Sequence, residues 1–184
     1  FGQVQQPLLS LGIDDWAETA VAVNISGDIT MAWAGKMKST YNALTAHIFL
    51  FDIEPWVGNT YLVLRSGNGI VGIRAHFEVN PGGSVTVTYP GPITIDEYLI
   101  LVATLTQAGV LSFYVNGALV GTTAPLAPMP ATLTAPALGS RTGGGNRDIS
   151  KPLFAALVEG ALTAAQVKTY SRWLRDEFNL PITV

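Results

Sequence analysis

Apolar and polar residues alternate at period two along most of this chain, and the alternation is cut at regular intervals by turn-forming residues. Ala20–Ser26 (AVAVNIS) alternates and ends at the turn pair Gly27 and Asp28. Ile29–Lys38 follows, with Ile29, Met31 and Trp33 on one face of an extended segment. Thr45–Phe51 and Thr60–Ser66 read as further strands, the second bounded by Gly58-Asn59 and by Gly67, Asn68 and Gly69. Ile70–Val79 alternates through Ile73, Ala75 and Phe77, and Asn80 to Gly83 (NPGG) closes it with a turn before Ser84–Tyr89 (SVTVTY). Tyr98–Thr106 (YLILVATLT) breaks the rule by being apolar almost throughout, as a strand covered on both faces is.

Two segments carry sharper signals. Val110–Val115 and Ala118–Thr123 flank Asn116-Gly117, and Asn-Gly between strand-forming runs predicts a type I′ hairpin, whose central residues both need positive φ. Near the C-terminus the period changes to 3.6. Thr163 and Gln166 have capping-box spacing, and Val167, Tyr170, Leu174 and Phe178 fall on one stripe, with Asn179 and Pro181 as stop signals. This predicts one helix over 164–178. Strands spaced by turns, with a single terminal helix, indicate an all-β, two-sheet antiparallel jelly-roll sandwich with one C-terminal α-helix. Pro125–Pro136 reads as a loop and Arg141–Arg147 (RTGGGNR) as the most flexible segment.

A chain of 184 residues fits one domain with a core that needs no staples. Residues 1–18 read as an N-terminal arm or linker end and 19–184 as the domain. The start at Phe1, without a basic-then-apolar leader, leads us to expect a piece of a longer polypeptide. Composition changes the picture in one respect. Charged residues make up 12% of the chain and apolar ones 48%, against a charged share of about 25% in typical soluble domains. Apolar surface must then lie outside the core, which predicts burial against other copies of the chain or other subunits. Membrane insertion is not expected, because no apolar run reaches the roughly 18 residues of a spanning helix. The ten Lys and Arg are scattered and the net charge is −3, so no footprint for nucleic acid exists. The absence of cysteine excludes disulfides and thiolate chemistry.

Phe113 to Gly117 (FYVNG), the strand end Leu138-Gly139, and Phe154–Val158 leading into Ala161, Leu162 and Thr163 occur in the order found at the end of laminin-G-like domains. From Ile29 to Phe178 the chain resembles such a domain of the concanavalin A-like lectin/glucanase superfamily. It departs from the pattern before the hairpin: relatives often carry a W-H-H-V-A type strand, where this chain has Tyr98–Ala103 (YLILVA). The resemblance implies the concanavalin A-like sandwich. It leaves function open, since that scaffold carries hydrolases, sugar-binding modules, adhesins and virion components.

Candidate chemistry is sparse. The superfamily's glucanases place carboxylates at period two on one strand, and retaining enzymes hold two of them about 5–5.5 Å apart. Asp52 and Glu54 match the spacing, but Trp56 stands where a third carboxylate is needed. Asp14-Asp15, Asp96-Glu97 and Asp176-Glu177 are adjacent pairs that diverge on a strand. His47 and His76 are the only histidines and lack ligand-spaced partners. No catalytic residue and no cofactor is expected. A rim calcium of the kind laminin-G-like domains hold would draw on Asp28, Asp52 and Asp148, and no oxygen-rich EF-hand loop supports it.

Glycans are gripped by an aromatic face with planar hydrogen-bonding groups at its edge. Trp56, Asn59, Tyr61 and Arg65 cluster in sequence and supply both, and Arg141, Asn146 and Arg147 in the Gly-rich segment complete the candidate set. The packing alternative for Trp56 and a solubilising role for the arginines compete with this reading. The combined expectation is a non-enzymatic structural and adhesion module on a virion or an extracellular surface. A phage or viral fibre, spike or capsid decoration that contacts host glycans fits best. A carbohydrate-binding module of a secreted or cell-surface protein is the alternative, and a divergent glycoside hydrolase comes last.

Overall fold

The computed structural model describes residues 17–18, 27–36, 47–53, 61–67, 70–79, 82–91, 97–126, 136–138 and 151–184. They form two antiparallel sheets and one helix. The strands are β1 (Ala17–Glu18), β2 (Ile29–Lys36), β3 (His47–Ile53), β4 (Tyr61–Gly67), β5 (Ile70–Val79), β6 (Gly83–Tyr89), β7 (Tyr98–Leu105), β8 (Leu111–Val115), β9 (Ala118–Thr122), β10 (Pro136–Leu138) and β11 (Lys151–Glu159). Helix α1 spans Ala164–Glu177. One sheet runs β1-β10-β3-β4-β5-β6 and the other β11-β2-β7-β8-β9. The jelly-roll sandwich with a terminal helix is therefore the fold observed. The Ala20–Ser26 strand expected from sequence lies outside the described residues. Ala17–Glu18, at the end of the segment read as an arm, pair with β10.

The core lies between the sheets. Ile29, Met31 and Trp33 of β2 and Leu99, Leu101, Ala103 and Leu105 of β7 pack with Leu62 and Leu64 of β4 and Ile73, Ala75 and Phe77 of β5. Each aliphatic side chain buried in this way contributes about 1.5–3 kcal/mol over its exposed state. The alternate residues of β2 and β7, Ala32, Ala34, Ile100 and Val102, form a second cluster with Phe154 of β11 and Val167, Leu174 and Leu180. A helix thus covers the outer face of the five-stranded sheet. This explains why β7, its central strand, is apolar on both faces.

Local chemistry sets the ends of α1. The Thr163 hydroxyl accepts from Gln166 N and the Gln166 side chain accepts from Thr163 N, so the capping box forms. At the other end Asn179 takes positive φ, Asn179 N donates to Asp176 O and Leu180 N to Arg175 O at 2.8 Å. This is the Schellman pattern, with the buried Leu180 as its apolar anchor and Pro181 preventing continuation. Thr106 and Val110, expected at strand ends, instead close the β7–β8 turn. Thr106 N donates to Val110 O at 3.0 Å and Val110 N to the Thr106 hydroxyl at 3.1 Å. Among the described residues no helix is long and apolar enough to cross a membrane.

Candidate functional site

The outer face of the six-stranded sheet has a different chemistry. Because Ile73, Ala75 and Phe77 point into the core, Arg74, His76 and Glu78 emerge on the opposite side of β5. The same alternation on β4 turns Val63 and Arg65 outward, and on β6 it turns out Thr86 and Thr88. Strand register then assembles rows across the sheet. Arg65 is opposite Arg74, and Arg74 opposite Thr88. Val63 is opposite His76, and His76 opposite Thr86; Asp52 of β3 holds the register position opposite Val63. Tyr61 pairs with Glu78 in register, and Glu78 with Ser84.

The face is graded in exposure. Ser84, Thr86 and Thr88 of β6 are open to solvent, whereas Arg65 and Arg74 are each 8% exposed and His76 is 6% exposed. Arginines this deep on an outer face are unusual, since charged residues are seldom buried. Two cations placed directly across a strand pair repel one another unless anionic groups lie near them. Both arginines are also engaged by other groups of the chain.

His76 links the rows. Its Nδ1 lies 2.6 Å from the Thr86 hydroxyl and its Nε2 3.2 Å from Glu78 Oε2. A carboxylate only accepts, so Nε2 carries the proton and donates to Glu78, while the Thr86 hydroxyl donates to Nδ1. Burial, reinforced by the positive charge of Arg65, pushes the imidazole pKa down to about 4. The hydrogen bond to Glu78 opposes that shift without reversing it. At neutral pH the His76–Glu78 contact is therefore a hydrogen bond to a neutral ring and not an ion pair.

Of the residues singled out in the sequence, Arg65 stands in this face, and Tyr61 and Asp52 hold register positions in its strands. Arg74, His76, Glu78 and Thr86 were missed as a group, although their signal was present. The polar residues of β5 recur at period two, in antiphase to the apolar ones used to recognise the strand. Trp56, Asn59, Arg141, Asn146, Arg147, Asp148 and Glu54 lie outside the described residues. Asp28 lies just before β2 in the other sheet, where its carboxylate accepts from Gln107 N at 2.7 Å and its carbonyl from Gly160 N at 2.6 Å. Among the described residues no group of three or more His, Asp or Glu could hold a metal ion. Asn116 and Gly117 form the predicted turn, with φ of 49° and 78°.

The laminin-G-type family model described as the concanavalin A-like lectin/glucanases superfamily matches residues 11–168. The chain belongs to this superfamily. Among solved structures, this superfamily domain is similar to a heptameric SAP-like pentraxin from Limulus polyphemus. That match has a TM-score of 0.67 and 12% identity, and covers 85% of this chain and 75% of the pentraxin. It is also similar to the ligand-binding domain of Botulinum neurotoxin serotype D in complex with N-acetylneuraminic acid, with a TM-score of 0.65 and 12% identity. Here the match covers 86% of this chain but 40% of the toxin domain. A third similar structure is the sialidase CBM40 of Ruminococcus gnavus bound to α2,3-sialyllactose, at a TM-score of 0.60 and 12% identity. It is matched over 87% of this chain and 99% of that one. At such identities the likeness is one of fold. Among curated proteins no relative matches significantly.

Proposed function

We propose that this domain is a non-catalytic glycan-binding module whose ligand lies on the outer face of the six-stranded sheet. The observation that carries the reading is the graded polar face itself: buried Arg65, Arg74 and His76 beside exposed Thr86 and Thr88. Sugar hydroxyls need donors and acceptors in fixed positions, and strands hold them more rigidly than loops do. The two sugar complexes among the similar structures support the same class of ligand. Trp56 and Asn59, just before β4 in sequence, are proposed as further contacts.

Catalysis is disfavoured by the electrostatics of the site. Thr86, His76 and Glu78 are linked in the order nucleophile, base and orienting acid. A general base works best with a pKa near the working pH. His76, held near pKa 4 between burial and Arg65, is too weak a base to take the Thr86 proton. The chain is better suited to fixing hydroxyl and guanidinium positions.

Its setting is proposed to be an extracellular or virion surface, as an adhesion domain of a phage or viral assembly. The 12% share of charged residues supports extensive contact with other subunits. A glycan array probed with the full chain tests the binding function, with His76→Ala and Thr86→Val as controls. Selective binding that both variants weaken is expected. Wild-type protein that retains no glycan on the array would overturn the proposal. Light scattering tests assembly, and a monomer at micromolar concentration would count against it.

A further inference from the structure

We infer that β11 pairs with β11 of a second copy of this chain, antiparallel and about a two-fold axis, so that the five-stranded sheet continues across a dimer. The inference rests on the assembly reading given above, for which it names the contact, and not on the glycan face. Among the described residues β11 ends its sheet, with β2 on one side and no strand on the other. Gly160 N donates to Asp28 O at 2.6 Å, in the same register that sets Glu159 opposite Ile29. Hydrogen-bonded and non-hydrogen-bonded pairs alternate along an antiparallel ladder. Phe154, Ala156 and Val158 therefore bond to β2, and Ala155, Leu157 and Glu159 direct their backbone N–H and C=O groups away from it. Such a row of outward groups is a template for another strand.

The chemistry of the strand selects its own copy as the partner. Lys151 opens it, Glu159 closes it, and Pro152–Val158 (PLFAALV) between them carries no charge. Edge strands left to solvent are commonly blunted by charged side chains, proline or bulges. Here Pro152 and the register shift before Phe154 blunt the start alone. In an antiparallel pair the Lys151 end of each strand lies toward the Glu159 end of the other, so unlike charges approach at both ends. A parallel copy would align like with like. Ala155, Ala156, Leu157 and Val158 are half-buried, so both rims of the strand are apolar and incompletely covered. Trp173 widens this patch. It is 39% exposed, stacks on Tyr170 at 5.5 Å and meets the ring of Phe154 edge to face at 6.0 Å, which places it beside β11. A copy that continues the sheet covers this ring too, and tryptophan is enriched at the centres of such contacts.

Sedimentation velocity of the full chain tests the inference, and a dimer that dissociates on dilution is expected. Ala155→Pro removes one outward N–H from each copy, leaves the bonds to β2 in place, and should weaken dimerisation by about tenfold or more. Glu159→Lys should also weaken it at low salt, and the added change Lys151→Glu should restore it. A covalent readout decides the matter if the proline variant does not fold. The chain has no cysteine, so Ala155→Cys places a lone thiol on the edge, and a short bismaleimide should join two chains there. Leu119→Cys, on β9 at the opposite edge of the sheet and 54% exposed, should stay unjoined. Dimerisation unchanged by a folded Ala155→Pro variant, or cross-linking through Leu119→Cys and not through Ala155→Cys, overturns the inference and leaves the assembly reading standing. A chain that is monomeric at every concentration overturns both.

Discussion

Asn116 is tied to Ile100 twice: Asn116 N donates to Ile100 O at 2.8 Å, and Asn116 Oδ1 accepts from Ile100 N at 2.9 Å. Asn116 thereby bonds both backbone groups of Ile100, the carbonyl through its main chain and the N–H through its side chain, at the point where the β8–β9 turn passes β7. Asn116 also holds φ of 49°, a region that β-branched residues avoid. Asn116→Val removes the acceptor and strains the backbone, and is expected to cost about 2–3 kcal/mol. Asn116→Gly keeps the turn and loses only the acceptor, at about 1 kcal/mol. Urea denaturation of both variants checks the order, and equal losses would contradict this assignment.

The following residue explains why the turn is Asn-Gly. A Cβ on Gly117 would come within 2.8 Å of Val184 Cγ1 and 3.3 Å of Ser171 Cβ, so the hairpin packs directly beneath α1 and the C-terminal segment. Gly117→Ala combines this collision with a φ of 78° and is expected to cost about 1–3 kcal/mol. Hydrogen exchange should then rise in α1 as well as in the hairpin. A loss confined to the hairpin would show that the packing argument fails.

A single hydroxyl clasps the crossing from β11 to α1. Thr30 is fully buried; its hydroxyl donates to Gly160 O at 2.7 Å and accepts from Leu162 N at 3.0 Å. Thr30→Val preserves shape and strands both groups, which predicts a loss of about 2–3 kcal/mol. Thr30→Ser retains the bonds and should lose about 1 kcal/mol or less. Chemical denaturation that ranks serine below valine would refute the clasp.

These relationships mark the boundary of what the residues alone could reveal. Period-two alternation sufficed for the strands, since Ile29, Met31 and Trp33 must share a face wherever β2 lies. The double burial of β7 was legible from Tyr98–Thr106 because a continuous apolar run needs cover on both sides. The stripe Val167, Tyr170, Leu174 and Phe178 pointed to that cover. What alternation cannot show is which strands become neighbours. β11 pairs with β2 across more than half the chain, and only this pairing brings Gly160 to Thr30. The candidate site divides in the same way. Arg74, His76 and Glu78 are predictable as one face of β5, but their meeting with Arg65 and Thr86 depends on register across three strands.

Trp33 is wholly buried between the sheets, and its Nε1 has no hydrogen-bond partner among the described residues. A buried donor without an acceptor costs about 1–3 kcal/mol. Trp33→Phe removes that donor while leaving a small void, and the two effects should nearly cancel, to within about 1 kcal/mol. Trp33→Ala leaves a large cavity and is expected to cost about 3–5 kcal/mol. Calorimetric melting separates the outcomes. A phenylalanine variant as unstable as the alanine one would mean that the indole N–H is satisfied in solution.

The depressed basicity of His76 makes the stability of the fold depend on pH. Its pKa is about 4 in the folded chain, against 6.5 for an unperturbed histidine. Between these values the unfolded chain binds a proton that the folded chain refuses. Stability from this group is therefore fully present above about pH 6.5 and is lost as pH falls toward about 4. Allowing for solvent screening, the loss is on the order of 2 kcal/mol. His76→Gln cannot titrate, so its stability curve should lack this component. Urea titrations of both proteins from neutral pH to about pH 4 should give curves whose difference changes within that window. A pH-independent difference would mean that His76 is not held neutral between Thr86 and Glu78. Glu78→Gln provides the directional control. Removing the carboxylate deletes the influence that raises the His76 pKa, through its hydrogen bond and its charge. The acid-induced loss should then extend to still lower pH.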